Sequence, residues 1–374
     1  MAYPVLTGAV LIEANGAALN NAGLAEDVRT EQTIVVKSVR VGRLHFPYVS
    51  GQAWRRWWRE VLYADFGWKP SPMFVSKKPQ QAFTKGDPIT YEEDDLFGYM
   101  AARKRADKRS RKSEEEEMAE AAKGTNRRIS PLKNSLLISV LPNVVVRDFA
   151  HLSRHQQDTQ IRLLPDSPSQ DPLLWGSEHY TTYLQGVFTI SLSDVGRFVL
   201  GEMADLSEEI LREHQNELQQ DPSDGRVYWL PKSERIKRVK DVIFALARLR
   251  GGAHLARNLS DVTPVVILVG FLDGGNAPFQ RIFEPDDNNE RVLLNLTRLR
   301  SVLEDYQDRL LVGDNDKALF FGYRPTVLAN EVEVLEQFQN DKLFSRLIEV
   351  AGTPQQALER AAEQVESVFG KYVP

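Results

Sequence analysis

Residues Arg43 to Arg56 read RLHFPYVSGQAWRR and gather the ingredients of an anion site: a serine where a helix should begin, a glycine and a glutamine beside it, and two arginines one turn on. A helix start leaves backbone N–H groups free and carries the positive end of the dipole, so Ser50, Gln52, Arg55 and Arg56 could hold a phosphate chain there. The same residues suit a plain N-cap followed by a solvated face, and spacing alone favours that blander reading. A second cluster, Gly251-Gly252-Ala253-His254-Leu255-Ala256-Arg257-Asn258, pairs glycines that let a backbone approach a ligand with His254 and Arg257, which could meet phosphate. Its spacing matches neither the P-loop nor the dinucleotide fingerprint, and the end of a helix explains the glycines equally well. The third feature is Arg103 to Lys112 (RKRADKRSRK), where seven of ten residues are basic, followed at once by Glu114 to Glu117. Such a run is either solvated surface or a salt-dependent, sequence-independent contact with a nucleic-acid backbone through Arg103, Lys104, Arg105, Lys108 and Arg109.

Other chemistry is poorly represented. Of the six histidines only His151 and His155 stand four apart, without the glutamate of a zinc-protease motif and in a chain with no cysteine, so no metal is expected. No G-x-S-x-G elbow occurs, and Asp94-Asp95 and Asp286-Asp287 lie in polar sequence where solvation is the ordinary explanation. Nothing demands catalysis or a cofactor. The 374 residues carry 47 Lys plus Arg against 52 Asp plus Glu, a net charge of −5, so phosphate binding must come from local clusters rather than from a basic coat. Without cysteine there are no disulfides or thiolate metal sites, which is compatible with a reducing cytosol. No basic residue precedes Arg29, and the longest apolar run, Val265 to Leu272, is far below the roughly 20 residues that span a bilayer. The expectation is a soluble, cytoplasmic protein with no membrane partner.

The elements that must position these residues follow from pattern. Tyr3 to Glu13 predicts a strand, and Thr33 to Val41 a second strand or hairpin arm. After Pro47 comes the clearest helix, with Ser50 as cap and Trp54, Trp57, Trp58, Val61 and Leu62 at i, i+3, i+4, i+7 and i+8, which assigns the tryptophans to a core rather than to base stacking. From about 67 to 131, opposed charge blocks predict an inserted, largely helical subdomain. Strand character returns at 135–148 and 180–192, with the Pro-rich, polar stretch 151–179 as an excursion between them. A second helix over 233–250 should stop at Gly251-Gly252 in a left-handed cap, and Val265 to Leu272 predicts a buried strand. The remainder, from about 290, reads as mostly helical. With the inserts removed the order is β-α-β-β-α-β, the ferredoxin-like or RRM-like arrangement of an α+β fold.

Taken in series, the segments resemble a known family. Ala18-Leu19-Asn20, Arg43 ahead of Ser50-Gly51-Gln52-Ala53-Trp54-Arg55-Arg56, Asp95-Leu96-Phe97-Gly98-Tyr99, Ile129-Ser130-Pro131, Val146-Arg147-Asp148, the Tyr180-to-Phe188 strand and the Gly251-Gly252 loop resemble the RAMP superfamily of CRISPR proteins. Within it they look like the DevR-type "Cas seven" backbone subunit of type I Cascade, in the subtype I-B branch. The resemblance implies an RRM-like palm (1–66, 132–149 and 181–290), a helical finger insertion (67–131), a long hairpin thumb (150–180) and a C-terminal segment (291–374) with no counterpart. It implies a non-catalytic subunit that polymerises along crRNA as a helical filament beside other Cascade subunits, target DNA being reached by pairing with the guide. It places RNA contacts at Asn20, Lys37, Arg43, Ser50, Gln52, Arg55, Arg56, Gly251, Gly252, His254 and Arg257 and thumb contacts at Arg154 and His155, while the basic run, from its charge, is the candidate DNA contact. Ser50-Gly51-Gln52 departs from a frequent Ser-Ser-Gln, and Arg55 stands where lysine is frequent. Two alternatives stay open: an endoribonuclease of the same superfamily, whose general acid or base would be His45, His254 or His155, and a scaffold without RNA.

Overall fold

The first apolar segment is buried on both sides. In the computed structural model, which describes residues 2–25, 33–77, 80–102, 125–152, 173–201 and 204–373, it forms strand β1 (Pro4–Ala17). Leu6, Val10 and Ile12 enter one core while Val5, Ala9 and Leu11 enter another. A strand covered on two faces reads as a continuous apolar run, as this one does. The stretch expected as one strand over 33–41 is broken at Lys37 into β2 (Thr33–Val36) and β3 (Ser38–Val41), and β3 forms a hairpin with β4 (Leu44–Val49).

Helix α1 (Gly51–Phe66) begins where the cap was expected: the Ser50 hydroxyl accepts the Ala53 N–H, and Trp54, Trp57, Trp58, Val61 and Leu62 are all buried. The indoles are core, and two have a partner for the N–H: Trp54 donates to Ser135 O at 2.9 Å and Trp58 to Val242 O at 2.8 Å. The inserted region was expected to be largely helical. Its described part is instead two ribbons, β5 (Met73–Lys77) with β6 (Gln80–Thr84) and β7 (Tyr99–Ala102) with β8 (Thr125–Arg128), around the six-residue α2 (Glu92–Phe97). The aromatic, methionine and valine content of Met73–Val75 and Tyr99–Met100 favours strand over helix. The charged stretch 103–124 lies outside the described residues.

The segment 135–148 is not one strand. After β9 (Leu132–Asn134) and β10 (Leu137–Ser139) the chain turns at Pro142 and Asn143, the latter with φ 56, before β11 (Val145–Leu152). Strand β12 (Leu173–Ser191) pairs with β11 from Val145↔Tyr180 to Leu152↔Leu173. The division drawn at residue 180 between hairpin and sheet therefore falls inside one unbroken strand. Helix α3 (Lys232–Leu246) and strand β13 (Pro264–Asp273) follow.

Past residue 290 the segment is mostly helical, as expected, but it also carries strands of the central sheet. Alongside α4 (Leu296–Tyr306), β14 (Leu319–Tyr323), α5 (Glu331–Asn340), α6 (Lys342–Leu347), β15 (Ile348–Gly352) and α7 (Pro354–Tyr372), the two strands extend the central sheet, β14 antiparallel to β13 and β15 parallel to β14. The mixed sheet runs β15-β14-β13-β1-β12-β10-β4-β3. Helices α1, α3 and α7 cover one face, and α4, α5 and α6 cover part of the other. Helix α7 starts at the expected Thr353-Pro354, with Gln356 completing a capping box. Among the described residues no helix is long and apolar enough to cross a membrane.

Candidate nucleic-acid interface

The start of α1 is a meeting point of four separated stretches. Asn20 Oδ1 accepts the Ser50 N–H at 2.9 Å, and Asn20 O accepts the Lys37 N–H at 3.0 Å. Ala18 bridges to Ala253, which brings the glycine loop alongside. That loop is not the helix cap the sequence suggested: α3 ends at Leu246 with Ala247 in right-handed helical geometry. Gly251 is required because a Cβ there would stand 2.2 Å from Cδ1 of Trp57, so the backbone lies directly against the indole. Beyond it the Arg257 and Asn258 N–H groups both donate to His254 O at 2.9 Å, and Asn258 Nδ2 donates to Gly16 O at 2.8 Å, locking the loop onto the end of β1. Arg257 Nη2 lies 3.3 Å from His254 Nδ1. Gln52, Arg56 and Arg257 are exposed, and Asn20, Lys37, Ser50, Gly251, Gly252 and His254 are half-buried. Helix geometry leaves the Gly51 and Gln52 amides without an intrahelical partner, so the ledge combines free donors, a dipole end and cations.

The two adjacent arginines differ. Arg56 points out, its side chain 76% exposed and paired with Glu60 at 2.8 Å. Arg55 points in: Nη1 donates to Leu132 O at 2.6 Å and Asn134 Oδ1 at 3.1 Å, Nη2 donates to Phe97 O at 2.9 Å and Ser130 Oγ at 3.0 Å, and the guanidinium lies 4.9 Å from the Phe97 ring centre. Burial, and then the neighbouring Arg59, bring its pKa down to about 10, so it stays charged at neutral pH. Its donors tie α1 to the inserted region. Arg43 lies in the turn of the β3–β4 hairpin, about 16 Å from Lys37 at 3.3 Å per residue, so it stands apart from the ledge. Between them a polar hollow of about 420 Å³ opens beside Lys37, lined by Val36, Ser38, His45, Asn143, Arg147 and Glu178. Arg154 and His155, and Arg103, Lys104, Arg105, Lys108 and Arg109, lie outside the described residues.

The Asp-Leu-Phe-Gly stretch shapes this site from behind. Asp95 is fully buried; its Oδ1 accepts from Arg128 and its Oδ2 accepts from Arg238 at 2.9 Å, while the Gly196 N–H reaches both oxygens. Burial alone would push Arg128 down, but Asp95 and Asp205 hold it above its ordinary value. Leu96 is core, Phe97 receives Arg55 and Arg59, and a Cβ on Gly98 (φ 70) would stand 2.6 Å from Arg128 O. Arg128, Arg238 and Asn134 escaped the sequence reading because their partners are distant in the chain, and Ser130 was read there only as part of the Ile129-Ser130-Pro131 segment. Arg248 was read as helical, yet it lies just past the end of α3, exposed and 5.4 Å from the Phe66 ring centre. Two basic residues in the ten before Gly251, Arg248 and Arg250, were the available signal for it.

Asp87, Glu213 and His214 bring one potential ligand atom each within 4.8 Å of the others. Lys85 Nζ stands 3.3 Å from Asp87 and 3.9 Å from Glu213, so the arrangement is a charge-compensated ion-pair cluster.

Comparison with known proteins places these features in context. The sequence pattern of the family described as "CRISPR-associated negative auto-regulator DevR/Csa2" matches residues 8–287. No curated protein matches the chain. Among solved structures, a chain of a "CRISPR RNA-guided surveillance complex" is similar at 11% identity with a TM-score of 0.44, covering 96% of this chain and 98% of that one. A chain of a "CRISPR RNA-guided surveillance complex, pre-nicking" is similar at 11% identity with a TM-score of 0.47, covering 96% and 100%.

Proposed function

The chain belongs to the CRISPR-associated DevR/Csa2 family, and from that premise we propose that it is a non-catalytic backbone subunit that binds guide RNA and polymerises along it within a Cascade complex. The observation that supports this reading is the convergence of residues 18–20, Lys37, Ser50–Gln52 and 251–257 on one exposed helix start. We read β1, α1, β10, β12, α3 and β13 as the RRM-like palm, a reading favoured by the antiparallel order β13-β1-β12-β10. The RNA backbone lies across the ledge with Gln52, Arg257 and the first α1 amides on its phosphates, and Arg56 and Lys37 add charge. Arg55 serves as a positioning residue that holds the inserted region against α1. Base pairing between guide and target DNA carries sequence, and the protein carries shape and charge. Acidic net charge is compatible with this, since a basic ledge can sit on an acidic body.

The test is to purify the protein with and without a repeat–spacer transcript and measure particle length against spacer length. Particles that lengthen with the spacer are expected, and the double variant Gln52→Glu/Arg257→Glu should lose RNA loading while keeping its melting temperature. Normal loading by that variant overturns the assignment of the ledge. The same preparation decides the nuclease alternative: metal-independent cleavage of repeat RNA, lost on His45→Ala, His155→Ala or His254→Ala, would replace the present reading.

A further inference from the structure

An RNA strand has a direction. Identical copies that bind it alike are related by rotation and shift and never by a two-fold axis, so the surface a copy offers to one neighbour differs from the surface it presents to the other. Two unlike apolar surfaces stand on opposite sides of the central sheet. On the α1 side, the β5–β6 ribbon leaves Met73 69%, Phe74 58% and Val75 70% exposed. Three consecutive exposed positions mean that both faces of the ribbon meet solvent, and a two-stranded ribbon uncovered in this way is marginal in water. On the other side, α4, α5 and α6 cover only the β13–β15 half of the sheet. Over β12 and β10 two adjoining hollows of about 330 and 310 Å³ share Ile138, Gln185, Arg281 and Phe283, and Leu136, 43% exposed, lines the first.

Resting on the function proposed above, we propose that the β5–β6 ribbon of one copy seats in the groove over Ile138 and Phe283 of the next, giving an open-ended contact between copies. Convex apolar meets concave apolar. A nucleic-acid occupant fits the ribbon less well, because a phosphate backbone would face Met73, Phe74 and Val75 where it needs cations.

The chain contains no cysteine, so introduced thiols report cleanly. The double variant Phe74→Cys/Leu136→Cys, assembled on a repeat–spacer transcript and oxidised, should give a disulfide-linked ladder whose rungs increase with spacer length and collapse on reduction, while each single variant gives no ladder. Alkylation of the thiol in Phe74→Cys should be strongly slowed by assembly on RNA before any DNA is added. Assembly of normal length on RNA without a ladder overturns this contact and leaves the guide-binding reading standing. Protection of the thiol only after complementary DNA is added overturns it in favour of a DNA contact. Failure of the unmodified protein to assemble on RNA overturns the guide-binding reading, and this contact with it.

Discussion

Asp95 and its neighbour Asp94 are adjacent carboxylates with opposite situations. Asp95 neutralises Arg128 and Arg238, whose side chains are 3% and 2% exposed. Removing that charge leaves Asp205 as the carboxylate beside buried Arg128 and Glu234 as the one beside buried Arg238, so Asp95→Asn should lower stability by about 3 kcal/mol, read from urea unfolding midpoints. Asp94 Oδ2 accepts from Ser71 Oγ and the Asp87 N–H, but its Oδ1 has no hydrogen-bond partner among the described residues. Burial first, and then the charge of Glu93, raise its pKa above the ordinary carboxylate value. A folded chain that holds this proton more tightly than the unfolded chain loses stability as pH rises from the ordinary value through the raised one. Asp94→Asn should therefore be more stable than the parent at neutral pH, with the advantage vanishing as the pH falls through the acid range; a melting-temperature difference independent of pH would contradict this. The Asp-Leu-Phe-Gly stretch was legible as a motif, but the role of Asp95 was not, since Arg128 is 33 and Arg238 143 positions away.

Helix α1 was legible almost to the residue, because cap chemistry and a 3.6-residue stripe of tryptophans are local signals. What periodicity could not separate was Arg55 from Arg56, which both lie off the buried stripe. The inserted region and the strand after it decide between them by packing Phe97, the Ser130 hydroxyl and the Leu132 carbonyl over one and leaving the other in solvent. Arg55→Ala should loosen this junction, with faster amide exchange over 92–100 and 128–134 and a lower melting temperature. Arg56→Glu should leave exchange and melting nearly unchanged while weakening RNA loading and reducing the slope of log affinity against log salt by about 1. The glycine loop was legible as a candidate site but given the wrong local reason: Gly251 is needed for contact with Trp57, a residue nearly two hundred positions earlier, and not to end a helix.

The molecule is one mixed sheet with cores on both faces, and its C-terminal part is built into both. Helix α7 packs its Ala357, Leu358, Ala361, Val365 and Phe369 into the same core as the α1 tryptophans. Deleting residues 354–373 would expose α3, β13 and β14 together, so the truncated chain should lose cooperative unfolding and aggregate, and a truncation that melts like the parent would contradict the shared core. Sequence pattern treated the region after 290 as an appendage because Leu319–Tyr323 and Ile348–Gly352 are five-residue strands set among helices. Strands that short announce themselves only through the partner they pair with.

Composition, the α1 stripe, the β1 and β13 runs and the ordered series of short motifs were determined by the sequence alone, because each depends on residues near one another in the chain or on simple charge totals. Tertiary structure decided which arginine faces solvent, why the glycines are there, how the sheet ends, and that residues 18–20, 37, 50–52 and 251–257 form one ledge. Those facts are set by contacts between distant segments, and the energy of such contacts depends on burial and direction that no local pattern encodes.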